Sequence, residues 1–452
     1  MKFSRLFILI LSFPTAVLAP ALPALDRQPT ADYHARRTHL SESLNQGVAI
    51  LFAAEEPLTD FTPYRQDSDF YYLTGWNEPG AALLIEAPAD ADDIHSARAY
   101  REILFLPTRN LRNERYTGPK LDASSPDAPH ITGIDEVRPM TELPTILGAL
   151  LKSDRYLERN LFGQPDNDQA RALISWTATT LGMDSTPALQ DVRSLTQNLR
   201  IIKEPGELAL LHKASDASIK AQLAMIAAIH PGMTERAAAG IIVETLMANG
   251  CERPSYAPIV GSGPNSTILH YSENSHTMQS GEVLLVDAAG EYSMYASDIT
   301  RTMPVNGHFT ARQREVYNVV LGAQRAAMEA FVPGKSRIND PYHHYPDSLD
   351  TIAFNYMNAH GKDLHGEPLG KYFIHGIGHS VGIDVHDPFD PAKPIEKGMV
   401  FTIEPGIYIP EENLGVRIED DYYAKPDGTL ECLTCALPKT AEAIEGLMHK
   451  SQ

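Results

Sequence analysis

The chain has 452 residues, a length that exceeds what one hydrophobic core usually serves, so we expect two domains. Hydrophobic residues make up 43% of it, which is enough to fill two cores. Its formal net charge is −20 at pH 7, whereas binding to nucleic acid or to an anionic membrane needs a basic face. Composition and charge therefore argue against both partners and are typical of a globular protein with a solvated acidic surface.

The first residues predict a secretory signal peptide over residues 1–21. Lys2 and Arg5 precede an apolar run, residues 6–19, and small residues up to Ala21 are typical of a cleavage site. The apolar run has about fourteen residues, and a helix that spans a bilayer needs ~20. We therefore expect an exported protein, periplasmic or secreted, rather than a membrane-anchored one.

Residues 25–190 are predicted to form a mixed α/β domain without a catalytic constellation. Apolar runs at 47–52, 81–85 and 103–106 have the composition of strands and alternate with polar and helical segments. Residues 65–80 read Arg-Gln-Asp-Ser-Asp-Phe-Tyr-Tyr-Leu-Thr-Gly-Trp-Asn-Glu-Pro-Gly and end in a predicted turn. The aromatic residues of this segment that we expect in the core are Phe70, Tyr71, Tyr72 and Trp76.

A second domain, residues 195–452, is predicted to begin with helices. The segment Glu204-Pro-Gly-Glu is typical of a helix start and predicts a long helix as far as Ala228. Thr234 can cap the next helix, which is expected to stop at Asn249-Gly. Further helices are predicted over residues 310–332, 349–360 and 440–448.

Four acidic residues near short apolar runs are candidate metal ligands. Asp287 closes the run Val-Leu-Leu-Val, and Asp298 follows eleven residues later, beyond a turn-prone Gly-Glu pair at 290–291. Glu404 follows Val-Phe-Thr-Ile, and Glu419 ends Val-Arg-Ile-Glu. Each pair is predicted on two short strands joined by a turn, which brings its side chains together over one face. Because four buried carboxylates repel one another, we expect two divalent metal ions to neutralise them.

Residues 372–387 contain His375, His379 and His386 among three glycines. A lone histidine on an apolar face is usually a core residue, but three among glycines indicate a site. Glycine also argues against a regular helix that would pair His375 with His379. We therefore predict a glycine-rich strand and bend that crowds side chains around a small ligand.

The three cysteines are Cys251, Cys432 and Cys435, so at least one thiol is unpaired and no disulfide framework is expected. The Cys-x-x-Cys spacing suggests zinc or redox chemistry, but no second ligand pair accompanies it. Its context resembles a strand, where residues three apart face opposite sides and a bridge is disfavoured. We therefore predict structural cysteines.

These segments together closely resemble aminopeptidase P and Xaa-Pro dipeptidase, which are pita-bread metallopeptidases. The resemblance covers nearly the whole chain from about residue 30, and residues 65–80 resemble the amino-terminal domain of aminopeptidase P. It implies an α/β (α+β) protein with a mixed α/β N-terminal domain and a C-terminal pita-bread domain. The matching segments are Ile-Leu-His270-Tyr, Val-Asp287-Ala-Ala-Gly, Ser-Asp298-Ile-Thr-Arg-Thr, His375-Gly-Ile-Gly-His379, Gly-Ile-Asp-Val-His386-Asp, Ile-Glu404-Pro-Gly and Val-Arg417-Ile-Glu419.

The resemblance implies the role of each site residue. The metal ligands would be Asp287, Asp298, His379, Glu404 and Glu419. The residues acting on the substrate would be Glu404, His270, His375, His386 and Arg417. Glu404 would accept the proton of the nucleophile, and the three histidines would contact the substrate or stabilise the oxyanion. Arg417 would orient Glu419 or meet the substrate, a surface ion pair being the alternative. Oxygen ligands with one imidazole favour manganese, with cobalt or zinc as substitutes.

The family resemblance also implies the reaction. Its members cut the bond between a first residue and a proline in second place, using a water that bridges the two metals, and we expect a dimer or tetramer. One alternative is an Xaa-Pro dipeptidase, although residues 65–80 favour aminopeptidase P. A metal-free, creatinase-like hydrolase or a non-catalytic binding protein of the same fold would lack the ligands that this chain keeps.

Overall fold

The computed structural model describes residues 25–56, 64–91, 96–153 and 160–449. The predicted signal peptide, residues 1–21, lies outside the described residues. In these ranges, no helix combines the length and the apolar character that crossing a membrane requires.

The first half of the chain folds around one six-stranded mixed sheet. Its strands are β1 (Val48–Phe52), β2 (Ala82–Glu86), β3 (Arg101–Leu106), β4 (Glu136–Pro139), β5 (Leu161–Gly163) and β6 (Gln190–Asp191). They lie in the order β4-β3-β2-β1-β5-β6, with the pairs β1–β2 and β2–β3 antiparallel and the pairs β3–β4, β1–β5 and β5–β6 parallel. The helices are α1 (Thr30–Ser43), α2 (Ser68–Thr74), α3 (Glu114–Thr117), α4 (Ala128–Thr132), α5 (Leu143–Ser153), α6 (Asp168–Leu181) and α7 (Arg193–Arg200).

Both faces of this sheet are buried, because successive residues of a strand point to opposite sides. From β1, Val48, Ile50 and Phe52 belong to the cluster that includes α5 and α6, while Ala49 and Leu51 pack with α2. The three strands expected from the apolar runs are confirmed as β1, β2 and β3. The aromatic residues expected in the core are buried: Phe70, Tyr71, Tyr72 and Trp76.

The second half begins with the helices that the sequence predicts. They are α8 (Pro205–Ala228), α9 (Glu235–Ala248), α10 (Ala311–Ala330), α11 (Leu349–His360) and α12 (Ala441–His449). Glu207 Oε2 accepts a hydrogen bond from the backbone N–H of Glu204, and Thr234 caps α9 by accepting from Ala237 N–H. Helices α8 and α9 pack against each other, as do α10 and α11.

The strands of the second half form small antiparallel sheets packed against these helices. They are β7 (Arg253–Pro254), β8 (Ile259–Ser262), β9 (Val283–Asp287), β10 (Gly290–Tyr292), β11 (Tyr295–Ala296), β12 (Thr300–Pro304), β13 (Val400–Ile403), β14 (Gly406–Ile409), β15 (Leu414–Arg417), β16 (Asp420–Ala424) and β17 (Leu430–Cys432). The sheet orders are β12-β9-β8, β11-β10-β7 and β13-β16-β17, with β14-β15 as a separate hairpin. Their apolar side chains form one large core with α8 to α12.

The prediction of a turn at residues 290–291 is wrong. Gly290 and Glu291 lie in β10, and the chain reverses at Ser293 and Met294, whose φ angles are +49° and +74°. The pairing of β10 with β7 decides this, because it holds the Gly-Glu pair in an extended conformation. Local turn propensity gave no indication of that long-range pairing.

The expectation that Cys432 and Cys435 stay unbridged is also wrong. The two residues form a disulfide, with their Cα atoms 5.5 Å apart. Strand β17 ends at Cys432 and the chain turns, so the rule that residues three apart face opposite sides does not apply. Cys251 is a buried free thiol, as an odd number of cysteines requires.

Candidate active site

A cavity of about 310 Å³ in the C-terminal half gathers every site residue predicted from the sequence. These residues are His270, Asp287, Asp298, His375, His379, His386, Glu404, Arg417 and Glu419. Leu269 and Asn339 also line it. The fold thus brings together side chains from five separate stretches of the chain.

Two of the acids lie at one end of the antiparallel strand pair β9 and β12. Asp287 is the last residue of β9 and lies opposite Thr300 of β12, and Asp298 stands two residues before β12 begins. Both carboxylates therefore lie at the same end of this strand pair. The hydroxyl of Tyr256 is within hydrogen-bond distance of one oxygen of each acid.

The other two acids lie at the ends of β13 and β15, and Thr300 connects them to the first pair. Glu404 directly follows β13, and Glu419 stands between β15 and β16. Thr300 Oγ1 donates to Glu419 Oε2 at 2.6 Å, and the Glu419 N–H donates to the Thr300 carbonyl at 3.1 Å. The four carboxylates consequently meet at one junction between the two groups of strands.

The glycine-rich stretch runs beside β13 and then bends back; the bend is as predicted, but the stretch, which is described in full, makes only isolated bridges and forms no regular strand. The N–H groups of Thr402 and Glu404 donate to the carbonyls of His379 and Ile377 at 2.9 and 2.8 Å, which places His379 next to Glu404. A bridge between Ser380 and Asp387 then closes the bend. The bend brings the ring of His386 to 4.0 Å, centroid to centroid, from that of His379.

His379 presents Nε2 to the acids. Its Nδ1 lies 3.1 Å from the Ser380 carbonyl, which can only accept, so Nδ1 carries the hydrogen. Nε2 lies 3.4 Å from Asp298 Oδ2 and 3.6 Å from Glu404 Oε1. One ligand atom each from Asp298, His379 and Glu419 lie within 4.8 Å of one another. Burial lowers the pKa of His379, but Asp298 and Glu404 outweigh it and raise that pKa to about 9.

The carboxylates carry the electrostatic signature of a crowded, buried acid cluster. Burial raises the pKa of Asp287 to about 6 although Arg417 opposes the change, and raises that of Glu404 to about 7 against His379 and Arg417. Burial and the neighbouring acids raise the pKa of Glu419 well above its ordinary value. Positive charge brought into this cluster would therefore be strongly stabilised.

Arg417 is buried rather than part of a surface ion pair, and it contacts Asp287 rather than Glu419. Its Nη2 donates to Asp287 Oδ2 at 2.6 Å and its Nη1 to the Tyr408 hydroxyl at 2.8 Å. His375 Nδ1 donates to the Gly376 carbonyl, so its Nε2 accepts from Tyr408 at 2.8 Å. Burial and Arg417 lower the pKa of His375 to about 4, so this imidazole is neutral at physiological pH.

His270 and His386 are exposed at the cavity wall. Within the described part of the chain, the ring nitrogens of neither residue make a hydrogen bond. Burial and the nearby His379 lower the pKa of His386. Both rings are therefore placed to meet a molecule that enters the cavity.

The N-terminal half anchors the bend that carries His386. Arg65 Nη2 donates to the Ile383 carbonyl at 2.8 Å, and Ser68 Oγ to Asp384 Oδ1 at 2.6 Å. Arg200 Nη2 contacts Asp384 and, at 2.6 Å, Asp387. Residues 65–80, which show no catalytic constellation, thus have a structural connection to the cavity.

Several polar residues that support the site were not predicted from the sequence. They are Tyr256, Thr300, Asn339 and Tyr408. Tyr408 stands inside the apolar run Gly-Ile-Tyr-Ile, and a buried hydroxyl needs a hydrogen-bond partner. The sequence could therefore have indicated a polar contact at Tyr408. Tyr256 lies outside any regular strand, and its spacing to the acids follows only from the tertiary fold.

The fold and the cavity together define a metallopeptidase of the pita-bread class. Residues 209–426 match the profile of metallopeptidase family M24, and residues 33–157 match that of the aminopeptidase P N-terminal domain. The chain therefore belongs to family M24, in its aminopeptidase P branch, which confirms the resemblance seen in the sequence.

Individual relatives span nearly the whole chain. The chain is 34% identical to the Xaa-Pro aminopeptidase of Escherichia coli over 441 residues, covering 92% of this chain and 97% of that one. It is 32% identical to Xaa-Pro aminopeptidase 3 of Homo sapiens over 426 residues, which covers 90% of this chain and 82% of the human one. Proline aminopeptidase P II from Yersinia pestis superposes with a TM-score of 0.81 at 32% identity, covering 94% and 100%. Zinc-substituted aminopeptidase P from Escherichia coli, in complex with product, superposes with a TM-score of 0.81 at 31% identity. That alignment covers 94% of this chain and 100% of the Escherichia coli chain.

Proposed function

We propose that this protein is an Xaa-Pro aminopeptidase that uses two divalent metal ions to release an N-terminal residue from a following proline. The observation that carries the proposal is the convergence of four acids and His379 in one cavity, on a fold shared with Xaa-Pro aminopeptidases. The residues that would hold the metals are Asp287, Asp298, His379, Glu404 and Glu419.

The donor set fits divalent cations. Burial and mutual repulsion hold the pKa of Asp287, Glu404 and Glu419 above the ordinary range, and only cations can relieve that repulsion without protonation. Arg417 is the single arginine or lysine among the described residues that line the cavity. The tautomer of His379 leaves Nε2 facing the acids, as a ligand requires. Oxygen donors with one imidazole favour manganese, and cobalt or zinc would substitute.

Glu404 is the residue placed to move the proton. Metal ions bound here would polarise the scissile carbonyl and lower the pKa of the attacking water. The Glu404 carboxylate lies among the proposed ligands in the cavity, so it can accept a proton from the attacking water and later return it to the leaving amine. Its Oε2 lies 3.9 Å from His375 Nδ1, and its Oε1 lies 3.4 Å from the Thr402 hydroxyl, which fixes the carboxylate orientation.

The three histidines outside the ligand set would divide their roles. Both ring nitrogens of His375 are engaged by protein, so this residue would offer the substrate its ring face rather than a hydrogen bond. The exposed rings of His270 and His386 would donate to the substrate carbonyl or to the developing oxyanion. Arg417 would act through Asp287 and Tyr408.

We infer selection for proline from the relatives, which are named Xaa-Pro aminopeptidases. A peptide bond to proline is a tertiary amide without an N–H, and the ring fixes the chain, so a dedicated pocket is needed. Xaa-Pro dipeptidase activity is the competing function within the same site chemistry.

A short peptide series tests the proposal. Cleavage of Xaa-Pro-Yaa and longer peptides after the first residue, with no cleavage when proline is moved to the third position, is expected. Preferential cleavage of Xaa-Pro dipeptides would assign the chain as a dipeptidase. Equal cleavage of Xaa-Ala-Yaa would overturn proline specificity.

A further inference from the structure

Two fully buried glutamines lie behind the cavity, one on each of the long helices that support the strands. Gln222 is on α8 and Gln324 is on α10, and neither side chain has any exposed surface. Each of these helices is the first of a packed pair, α8 with α9 and α10 with α11. The two glutamines therefore occupy comparable places in the two parts of the domain.

The Gln222 amide holds both strands of the first acid pair. Its Nε2 donates to the carbonyl of Ala288 at 3.0 Å and to that of Ile299 at 3.3 Å. Ala288 directly follows Asp287, and Ile299 directly follows Asp298. One NH₂ group thus bridges the backbone beside two proposed metal ligands.

The Gln324 amide makes the same bridge for the second acid pair. Its Nε2 donates to the carbonyl of Ile403 at 3.0 Å and to that of Ile418 at 3.3 Å. These residues directly precede Glu404 and Glu419. Nε2 also lies 3.1 Å from a carboxylate oxygen of Asp420.

Core packing alone gives no reason for an amide at either position. Within the described residues, the Oε1 atom of each glutamine is buried without a hydrogen-bond partner. Leaving such an acceptor unpaired is destabilising, whereas methionine would fill a similar volume without an unpaired polar atom. The amide cannot be reversed, because Oε1 would then face two carbonyl oxygens. Its contribution at both positions is the pair of N–H donors.

We propose that Gln222 and Gln324 are positioning residues that set the distance between the two acids of each pair and so tune the affinity for metal. Each amide fixes two ligand-bearing segments through the backbone, from the side opposite the cavity. The inference rests on the proposed function for the assignment of the four acids as metal ligands.

The test compares Gln222→Met and Gln324→Met with Gln164→Met in the full chain. Gln164 is a buried glutamine of the N-terminal half whose amide also hydrogen-bonds to the backbone, accepting from Phe52 N–H at 2.8 Å, but among the residues that the structure describes it bridges no two segments. Manganese is titrated calorimetrically into each chelator-treated protein, and the unfolding temperature is measured without metal. A cobalt(II) absorption spectrum of each variant reports the ligand geometry independently of turnover.

We expect Gln222→Met and Gln324→Met to bind manganese roughly 10–100-fold more weakly and to change the cobalt spectrum. Gln164→Met should lower the unfolding temperature with unchanged affinity and spectrum. Wild-type affinity in both site variants would overturn the inference. So would a variant that fails to fold even with saturating manganese, because that result would assign the glutamine to the core.

The measured quantity is metal affinity, which separates this inference from the substrate assignment. A wild-type protein that binds manganese but cleaves no Xaa-Pro bond would overturn the proposed reaction and leave the glutamine test valid. A wild-type protein that binds no divalent metal would overturn both.

Discussion

Arg417 and His386 both lie at the cavity, but their contacts predict different consequences of removing them. Arg417 orients Asp287 through a buried hydrogen bond of 2.6 Å, so Arg417→Ala should weaken manganese affinity by about 10–100-fold. His386 is exposed, so His386→Ala should lower kcat/KM about 10–100-fold, with affinity unchanged. Turnover measured along a manganese titration distinguishes the two. Full rescue of His386→Ala by excess manganese would contradict its substrate role.

At the residue scale, the sequence was sufficient for side chains whose chemistry is unusual in a core. Core packing does not explain four acids beside apolar runs and three histidines among glycines, so these residues indicated a site. The structure gathers them in one cavity. Tyr256 and Thr300 were missed because a hydroxyl is common in every environment. The partner of Arg417 was also missed, since Asp287 lies 130 residues away in the sequence.

At the element scale, Gly378 lets the glycine-rich stretch lie against β13. A Cβ on Gly378 would stand 2.1 Å from the Thr402 carbonyl oxygen, a backbone atom that cannot move aside. Gly378→Ala should therefore displace His379, lower the free energy of unfolding by about 1–3 kcal/mol or more and reduce kcat at least tenfold. Denaturant unfolding and steady-state kinetics measure both effects.

Gly240→Ala is the matched control, because Gly240 lies within α9 and a Cβ there meets no atom within 4 Å. It should be neutral or stabilise the protein by up to about 1 kcal/mol. An active, stable Gly378→Ala protein would show that the close approach of the glycine-rich stretch to β13 is not required.

Helices were more predictable than strands in this chain. Their caps are local: Glu204-Pro-Gly-Glu and Thr234 mark helix starts, and the structure begins α8 and α9 at those places. The turn at 293–294 and the Cys432–Cys435 bridge depend on where β10 and β17 pair and end. Those pairings join residues distant in sequence, which short-range patterns do not report.

At the scale of the whole molecule, ionic contacts join the N-terminal half to the bend that carries His386. Arg65 pairs with Glu291 at 2.6 Å and with Asp384 at 3.3 Å. Arg65→Met should lower the free energy of unfolding by about 1.5–3 kcal/mol and lower kcat/KM without changing manganese affinity. Arg171→Met, which removes an exposed arginine, should change none of these. An unchanged kcat/KM in Arg65→Met would show that catalysis does not depend on the contacts of Arg65 with the C-terminal half.

The same contacts predict a pH dependence of stability. Burial raises the pKa of Asp384, but Arg200, Ser68 and Arg65 outweigh it, so the folded-state pKa is below the ordinary value. Stability from this group is therefore fully present above about pH 4 and is lost as pH falls through the folded-state pKa. The stability difference between wild type and Arg65→Met should narrow below about pH 4. A difference that widens there would contradict the pairing.

The amino terminus carries a proposal of its own, export through a signal peptide cleaved near Ala21. Mass spectrometry of the protein recovered outside the cytoplasm should find a chain that begins close to that residue. An intact Met1-Lys2 terminus in the exported protein would contradict it.

The five proposed ligands and Xaa-Pro hydrolysis can be tested in one manganese titration. Metal is stripped with a chelator, manganese is returned in steps, and the products of an Xaa-Pro-Yaa peptide are identified by mass at each step. We expect no cleavage by the stripped protein and full cleavage at about two equivalents of manganese per chain. The products should be the free first residue and a peptide that begins with proline, and Glu404→Gln should stay inactive throughout. Full activity of the stripped protein, or of Glu404→Gln, would contradict the assignment.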